Sequence, residues 1–412
     1  MTDFDKDKLV PVGNTRRQFI GSAAEFAAGL AVLSAIPGYA VAASPSVLGA
    51  AGPGTIPALA FGVSKAGGLL TRLPVRRRAL GANDVHIEVA YCGVCHTDWH
   101  WLTGDWQGGS FPMVPGHEIA GRVVAVGGRV TKYKVGDTVG VGNYVDSCRT
   151  CGPCRNWREI YCENNPSWTY NGQERKHRSI TPNGDPTFGG YSTAMVVDEN
   201  YVLKIPETIS LQAAAPLLCA GITTYSPLMQ RKVGPGHRVG IAGFGGLGHV
   251  GTQIAKAMGA DVTVFTSSAW KKEDARRLGA NTVVLTSDAA AMEKAKGSID
   301  TLLDTIPAAH DLNAQMQLTA LDGHVWVLGA VGAARMPQGV SGGLMGSMNR
   351  SISSSYCGGI KETQEMLDFC GRHGIGAQVE VIAPQAVNST RERIESKQVR
   401  YRTVLDMSQA TV

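Results

Sequence analysis

RVGIAGFGGLGHVGTQIAKAMG, residues 238–259, reads as a strand, a glycine-rich turn and a helix in immediate succession. Gly243, Gly245 and Gly248 permit a tight turn and a close backbone approach. With Gly246 and Leu247 they would seat a pyrophosphate against the free N–H groups of the following helix. The rhythm continues outward through DVTVFT, the helical KKEDARRLG, NTVVLT, SIDTLLDTI, a helical stretch from Leu312 to Leu318, and HVWVLG. Strands separated by helices of this length call for a parallel sheet with right-handed crossovers, so this half of the chain reads as a doubly wound α/β domain. An acidic residue about 20 positions past the glycines would hold the ribose of NAD. Here the sequence is VTVFTSSAWKK, without a carboxylate. Thr266, Ser267 and Ser268 offer hydroxyls, and Lys271 and Lys272 offer charge for the 2′-phosphate of NADP(H). Otherwise the two lysines are the solvated first turn of the next helix.

Upstream, DVHIEVAYCG, EIAGRVVAVGG and GDTVGVGNYV are short runs rich in Val and Ile, broken by Gly and Asp, and predict a strand-rich domain over residues 85–145. The 412 residues suffice for two to three domains at about 150 residues each. Lys and Arg exceed Asp and Glu by 39 to 34, a net +5 that is too small to mark a nucleic-acid surface. Nine cysteines cannot all pair as disulfides within one chain, so the thiols have another use. Cys148, Cys151, Cys154 and Cys162 lie on one Gly- and Pro-containing loop. Four thiolates there can close a tetrahedral structural zinc site, and two disulfides are the alternative. Cys95, His117 and Cys219 are dispersed, and each alone reads as core. Together they make a three-ligand zinc site with an open fourth position, the arrangement of catalytic zinc. Trp101, Trp106 and Trp168 are candidate walls of an apolar substrate pocket, with core packing as the alternative.

GVCHTD (93–98), PGHEIAGRVVAVG (115–127), the four-cysteine loop, FGGYSTAMVV (188–197), PLLCAGITTYSPL (216–228), GFGGLGH (243–249), KETQEMLDFC (361–370) and RYRTVLDM (400–407) together resemble the zinc-dependent medium-chain alcohol dehydrogenases. They are most similar to the cinnamyl-alcohol-dehydrogenase branch, which includes bacterial NADPH-dependent aldehyde reductases, over about residues 62–408. The resemblance implies a GroES-like β-rich catalytic domain in two parts, 61–219 and 358–412, around a Rossmann-type cofactor domain at 220–357. It implies two zinc ions per chain and Glu118 as an occasional alternative ligand. Asp98 would fix the His117 tautomer, while Thr97 and His100 would relay a proton. It also implies an aldehyde or alcohol substrate and a homodimer. The run VSKAGGLLTRLPVRRRALGANDV is longer and more basic than that family leads one to expect, and CGGI before KETQEM lacks part of the usual polar stretch.

At the start, Arg16 and Arg17 precede Gln18, Phe19 and Ile20 and an Ala/Leu/Val run ending in small residues. This resembles a twin-arginine export signal over residues 1–42, cleaved near Ala42, with Glu25 as a charge inside the apolar run; an N-terminal amphipathic helix or uncleaved anchor is the alternative. A periplasmic or exported mature chain with a remaining cytoplasmic fraction, and no membrane span, is the expectation. Residues 43–60 read as a flexible lead-in. Two other functions compete: an NAD-dependent polyol or short-chain alcohol dehydrogenase, and a zinc-ribbon nucleic-acid module using Arg149, Arg155 and Arg158. The missing acid speaks against the first, and the weak charge and unused glycine loop against the second.

Overall fold

Past residue 238 lie six parallel strands, the five expected from the apolar runs and a Ser-rich sixth: β11 (Arg238–Ala242), β12 (Asp261–Thr266), β13 (Thr282–Leu285), β14 (Ile299–Asp304), β15 (Thr319–Val327) and β16 (Ser351–Ser354). Their order, β13-β12-β11-β14-β15-β16, reverses between β11 and β14. This is the doubly wound nucleotide-binding arrangement, in which the crevice lies beyond the carboxyl ends of the two central strands. The chain is described by a computed structural model over residues 47–50, 52–329, 339–396 and 398–410. The twin-arginine segment and its cleavage site lie outside the described residues. Among the described residues no helix is long and apolar enough to cross a membrane.

The strand-rich part is a seven-stranded sheet built on β4 (Asp84–Val94), whose Val85, Ile87 and Val89 are buried. From one edge it runs β10 (Leu203–Lys204), β6 (Thr138–Val141), β5 (Ile119–Val126), β4, β18 (Arg402–Asp406) and β17 (Val379–Ile382), and β9 (Ala194–Asp198) also pairs with β4. The last strands of the chain therefore return to the sheet of its first half. A two-stranded piece, β7 (Tyr144–Asp146) with β8 (Ser167–Trp168), flanks the four-cysteine loop.

The lead-in expectation is corrected by the structure. β1 (Leu48–Gly49) and β2 (Ile56–Gly62) form a three-stranded sheet with β3 (Thr71–Arg77), and Ala58 and Ala60 are buried. Small alanines let β2 lie flat on the core, and its pairing with β3 outweighs an Ala- and Pro-rich composition. The basic run that β3 enters also has a structural use. Arg77 is buried, and its guanidinium donates to the carbonyls of Phe188, Gly189 and Ala194 and to Ser192 Oγ. Burial pushes its pKa down to about 10, with Glu174 opposing. Arg78 pairs with Asp84 at the start of β4. Replacing Arg77 by Leu should lower stability by about 1–3 kcal/mol, because three buried carbonyls lose a charged donor. Urea denaturation of the variant against the parent chain measures this.

Candidate active site and metal centres

The register of β4 against β5 places the site. Cys92 faces Ile119, and the Gly93 N–H donates to Glu118 O at 2.9 Å. Cys95, just past β4, and His117, just before β5, are thereby brought to one end of the sheet. A side chain at Gly93 would strike the Glu118 carboxylate, its Cβ falling 2.0 Å from Oε2. The segment carrying His117 is clamped by FGGY: Gly189 and Tyr191 donate to Val114 O and Pro115 O at 2.8 and 3.0 Å. Gly189 has no room for a Cβ, which would meet Pro115 O at 2.3 Å, and Gly116 takes φ +103° against Tyr191.

Cys95 is the N-cap of the helix His96–Thr103, and Asp98 on its first turn accepts the Cys95 N–H at 2.9 Å. The same carboxylate accepts from His117 Nδ1 at 3.2 Å, from the Gly116 N–H at 3.2 Å and from Tyr191 Oη at 3.2 Å. One acid thus caps the helix and fixes the imidazole tautomer. His117 Nε2 is left buried and without a partner, pointing among Cys95 Sγ, Cys219 Sγ and Glu118, all within 4.8 Å of one another. Cys219 enters as the N-cap of the helix Ala220–Gln230, and the two sulfurs are 4.0 Å apart. That spacing and the orphaned nitrogen fit a tetrahedral ion bound at about 2.3 Å to sulfur and 2.0 Å to nitrogen.

The electrostatics suit the donor set. The hydrogen bond between the sulfurs, then Arg402 and His117, hold the Cys95 thiol well below its usual range against the effect of burial. Burial works against charging His117, but Asp98 prevails and raises its pKa. Glu118 is pushed up to about 8 by burial despite Arg402. Arg402, also buried, has Nη2 2.9 Å from Glu118 Oε1.

At the four-cysteine loop all sulfurs lie within 4.8 Å of one another, with Cys148 and Cys154 3.9 Å apart. All nine cysteines are free thiols, so the disulfide alternative is not realised. The N–H groups of Cys151 and Cys148 donate to Cys148 Sγ and Cys162 Sγ, each at 3.4 Å. Burial would raise the Cys148 thiol, but donors led by the Thr150 N–H bring it down to about 5. With four protein ligands the loop suits a closed structural zinc.

In the glycine turn Gly243 takes φ +89°, and a Cβ at Gly248 would fall 2.0 Å from Gly243 O. Gly245 has open space where a Cβ would point, as a cradle for a pyrophosphate requires. Leu247, the N-cap of the helix Gly248–Ala257, offers no side chain to the first N–H groups. Past β12, Ser267 is exposed and Ser268 and Lys272 half-buried, while Thr266 is buried and bonded by the Ser268 N–H. Lys271 is buried, its Nζ donating to Phe244 O at 2.9 Å beside the rings of Trp270 and Tyr401.

Thr97 and His100 share the first turns of the Cys95 helix. Thr97 is half-buried, and His100 is stacked between His96 and Trp106 with Nδ1 3.1 Å from Asp105. Trp101 meets Trp106 edge to face at 5.3 Å. Trp168, in β8 opposite Tyr144, is exposed and outside that aromatic group. Arg402, Tyr191 and Tyr170, whose ring lies 5.8 Å from His117, were not singled out from the sequence. Only Arg402 left a signal, the one cation of the strand-forming RTVLDM.

Residues 81–207 match the alcohol dehydrogenase GroES-like domain, and residues 246–372 the zinc-binding dehydrogenase domain. The chain is 48% identical over 347 residues to NADP-dependent alcohol dehydrogenase C 1 of Mycolicibacterium smegmatis, covering 84% of this chain and 97% of that one. The chain belongs to the zinc-dependent medium-chain alcohol dehydrogenases. This dehydrogenase is also 48% identical to the aldehyde reductase YahK of Escherichia coli, over 82% of its own length and 94% of the relative's. Among solved structures, a cinnamyl alcohol dehydrogenase of Sorghum bicolor superposes with a TM-score of 0.81 at 40% identity, covering 86% of this chain and 98% of that one. The cinnamyl alcohol dehydrogenase of Helicobacter pylori complexed with NADP(H) gives 0.80 at 37%, covering 86% and 99%.

Replacing Asp98 by Asn removes the charge facing His117 Nδ1. The metal at Cys95, His117 and Cys219 should then be held about tenfold less tightly, and the four-cysteine ion unchanged. Chelator competition with zinc counted per chain reads both sites separately.

Proposed function

We propose that this dehydrogenase reduces aldehydes to primary alcohols, and catalyses the reverse oxidation, with NADP(H) as its dinucleotide. In this reading Cys95, His117 and Cys219 hold the catalytic zinc and Cys148, Cys151, Cys154 and Cys162 a structural one. The observation that carries it is the position of Arg402. Its guanidinium lies 2.9 Å from Glu118 beside the thiolates, and a Cβ at Gly246 would fall 2.9 Å from its Nε. The metal-ligand cluster and the dinucleotide turn therefore meet at one guanidinium. The names of the relatives in Mycolicibacterium smegmatis and Escherichia coli support the same reaction.

When bound, zinc supplies Lewis-acid polarisation of the aldehyde oxygen and reduced nicotinamide supplies the hydride. The chain's own part is positioning and proton handling. Asp98 holds the His117 ring so that Nε2 faces the thiolates. Thr97, two residues past Cys95, is the hydroxyl that passes a proton to the new alcohol, and His100, one turn on, is the end of that relay. Trp101 and Trp106 form an apolar wall suited to aromatic aldehydes, and that wall is the basis for choosing benzaldehyde and cinnamaldehyde as substrates. Ser267, Ser268 and Lys272 at the end of β12 take the 2′-phosphate, with Thr266 and Lys271 shaping the turn.

The nucleic-acid alternative loses one of its three contacts, because Arg149 is held by Asp146 and Asp198 at 2.9 and 3.0 Å and lies over the Tyr201 ring, and the glycine turn stays unused by it. The Arg16–Arg17 pair supports export through the twin-arginine machinery, with a periplasmic mature chain. Membership of the family supports a homodimer.

Turnover of cinnamaldehyde and benzaldehyde with NADPH and with NADH, alongside zinc content, tests the reading. NADPH should be preferred, with two zinc ions per chain; preference for NADH would return the NAD-dependent alternative. Ser267→Asp should weaken NADPH about tenfold through repulsion of the 2′-phosphate and spare NADH. Equal loss for both dinucleotides would remove Ser267 from the phosphate site.

A further inference from the structure

At the carboxyl end of β14 the Asp304 carboxylate is fully buried. Its Oδ1 accepts the Ile306 N–H at 3.1 Å, and its Oδ2 lies 2.6 Å from His310 Nε2. The other ring nitrogen, Nδ1, faces the Ala308 carbonyl at 2.7 Å. A carbonyl cannot donate, and neither can an ionised carboxylate, so both contacts are hydrogen bonds only when both ring nitrogens carry protons. The geometry describes an imidazolium closing the turn 305–311 onto the strand that launches it.

That turn is joined to its neighbours on both sides. The Thr305 N–H and Oγ1 donate to Ala242 O at 2.9 and 3.0 Å, and Oγ1 also reaches Gly243 O at 3.0 Å. The Asp304 carbonyl accepts from the Leu328 and Gly329 N–H groups at 2.7 and 2.9 Å. Asp304 thus stands where the glycine turn after β11, the turn after β14 and the end of β15 meet. β11 and β14 are the strands between which the order reverses, so a dinucleotide crosses the sheet here.

We propose that Asp304 and His310 are a positioning pair for the dinucleotide, the ion pair holding the turn 305–311 against the glycine turn and its loss loosening that seat. The inference deepens the NADP(H) reading and rests on it. His310 acts through the turn, not on the reacting atoms. The hydrogen bond to Asp304 is the largest influence on His310 and raises its pKa against partial burial; the Ala308 carbonyl and the Asp311 carboxylate act in the same direction. A group whose pKa is raised by folding contributes its stabilisation below that pKa and loses it as pH rises through it. Dinucleotide affinity should therefore fall as the solution is made alkaline.

The test is direct binding of NADPH to the zinc-loaded full chain, read by nucleotide fluorescence from pH 6.5 to 9. Parent, His310→Gln and His310→Arg are compared, with thermal melts to verify folding. At pH 6.5 the Gln variant should bind about tenfold more weakly than the parent, the loss of one charge-assisted hydrogen bond. It should lack the part of the parent's alkaline decline that His310 contributes, and its defect should fall on the KM for NADPH rather than on kcat. His310→Arg keeps the charge and should recover affinity with a flat profile at high pH. A Gln variant that matches the parent at every pH, or that loses kcat with unchanged binding, overturns the proposal. Failure of the parent to bind NADPH while binding NADH would overturn the cofactor reading, and the same comparison with NADH would then decide the pair.

Discussion

A buried guanidinium must be met by negative charge or by hydrogen-bond acceptors, and in this fold that requirement falls on Arg402. It sits on the last strand of the chain, which pairs antiparallel with β4, and β4 in turn delivers Cys95. Its charge faces Glu118, lies among the thiolates of Cys95 and Cys219 and abuts Gly246. Removing it would strip the buried Cys95 thiolate and the Glu118 carboxyl of their neighbouring cation in a place that solvent does not reach. The C-terminal strand is in this sense the keystone of a site whose other members lie 180 to 310 residues earlier.

Around that charge the site alternates in sign. Asp98 faces His117, the imidazole faces the sulfurs, the sulfurs face Arg402, and Arg402 faces Glu118. Each ionisable group is tuned by the next. Asp98 is economical in this arrangement: the bond that caps the Cys95 helix and the bond that orients His117 come from the two oxygens of one carboxylate. A helix start and a metal ligand are fixed together.

What could be read from the sequence was what is local in the chain. The glycines from Gly243 to Gly248 lie within one turn, and Cys148 to Cys162 occupy one loop, so spacing alone conveys their geometry. The strand–helix rhythm of residues 238–328 is equally local and gave the parallel sheet. Cys95, His117 and Cys219 were legible by residue type and by resemblance, but their convergence depends on the β4–β5 register. Arg402 and the Arg77 cage were barely legible, because their partners are distant in sequence, and β2 was hidden by its Ala- and Pro-rich composition. Arg77 is satisfied by residues more than 100 positions away, and β2 is ordered by its pairing with β3 and by its packing on the core. His310 was missed for another reason: a histidine six residues past an aspartate reads as an ordinary loop until both ring nitrogens are seen to face acceptors.

The seven-stranded sheet is closed by β17 and β18, made after all its other strands and inserted beside one made some 300 residues before them. On the ribosome, β4 and its neighbours must wait with one edge open while the parallel-sheet domain is translated and folds on its own. The exposed edge of a half-built sheet is prone to pairing with other chains, and it is sealed only when β17 and β18 join it. Assembly of this molecule is therefore ordered: the nucleotide-binding sheet is made from one continuous segment, whereas the sheet that carries the metal ligands is whole only once strands from beyond that segment have come back to it.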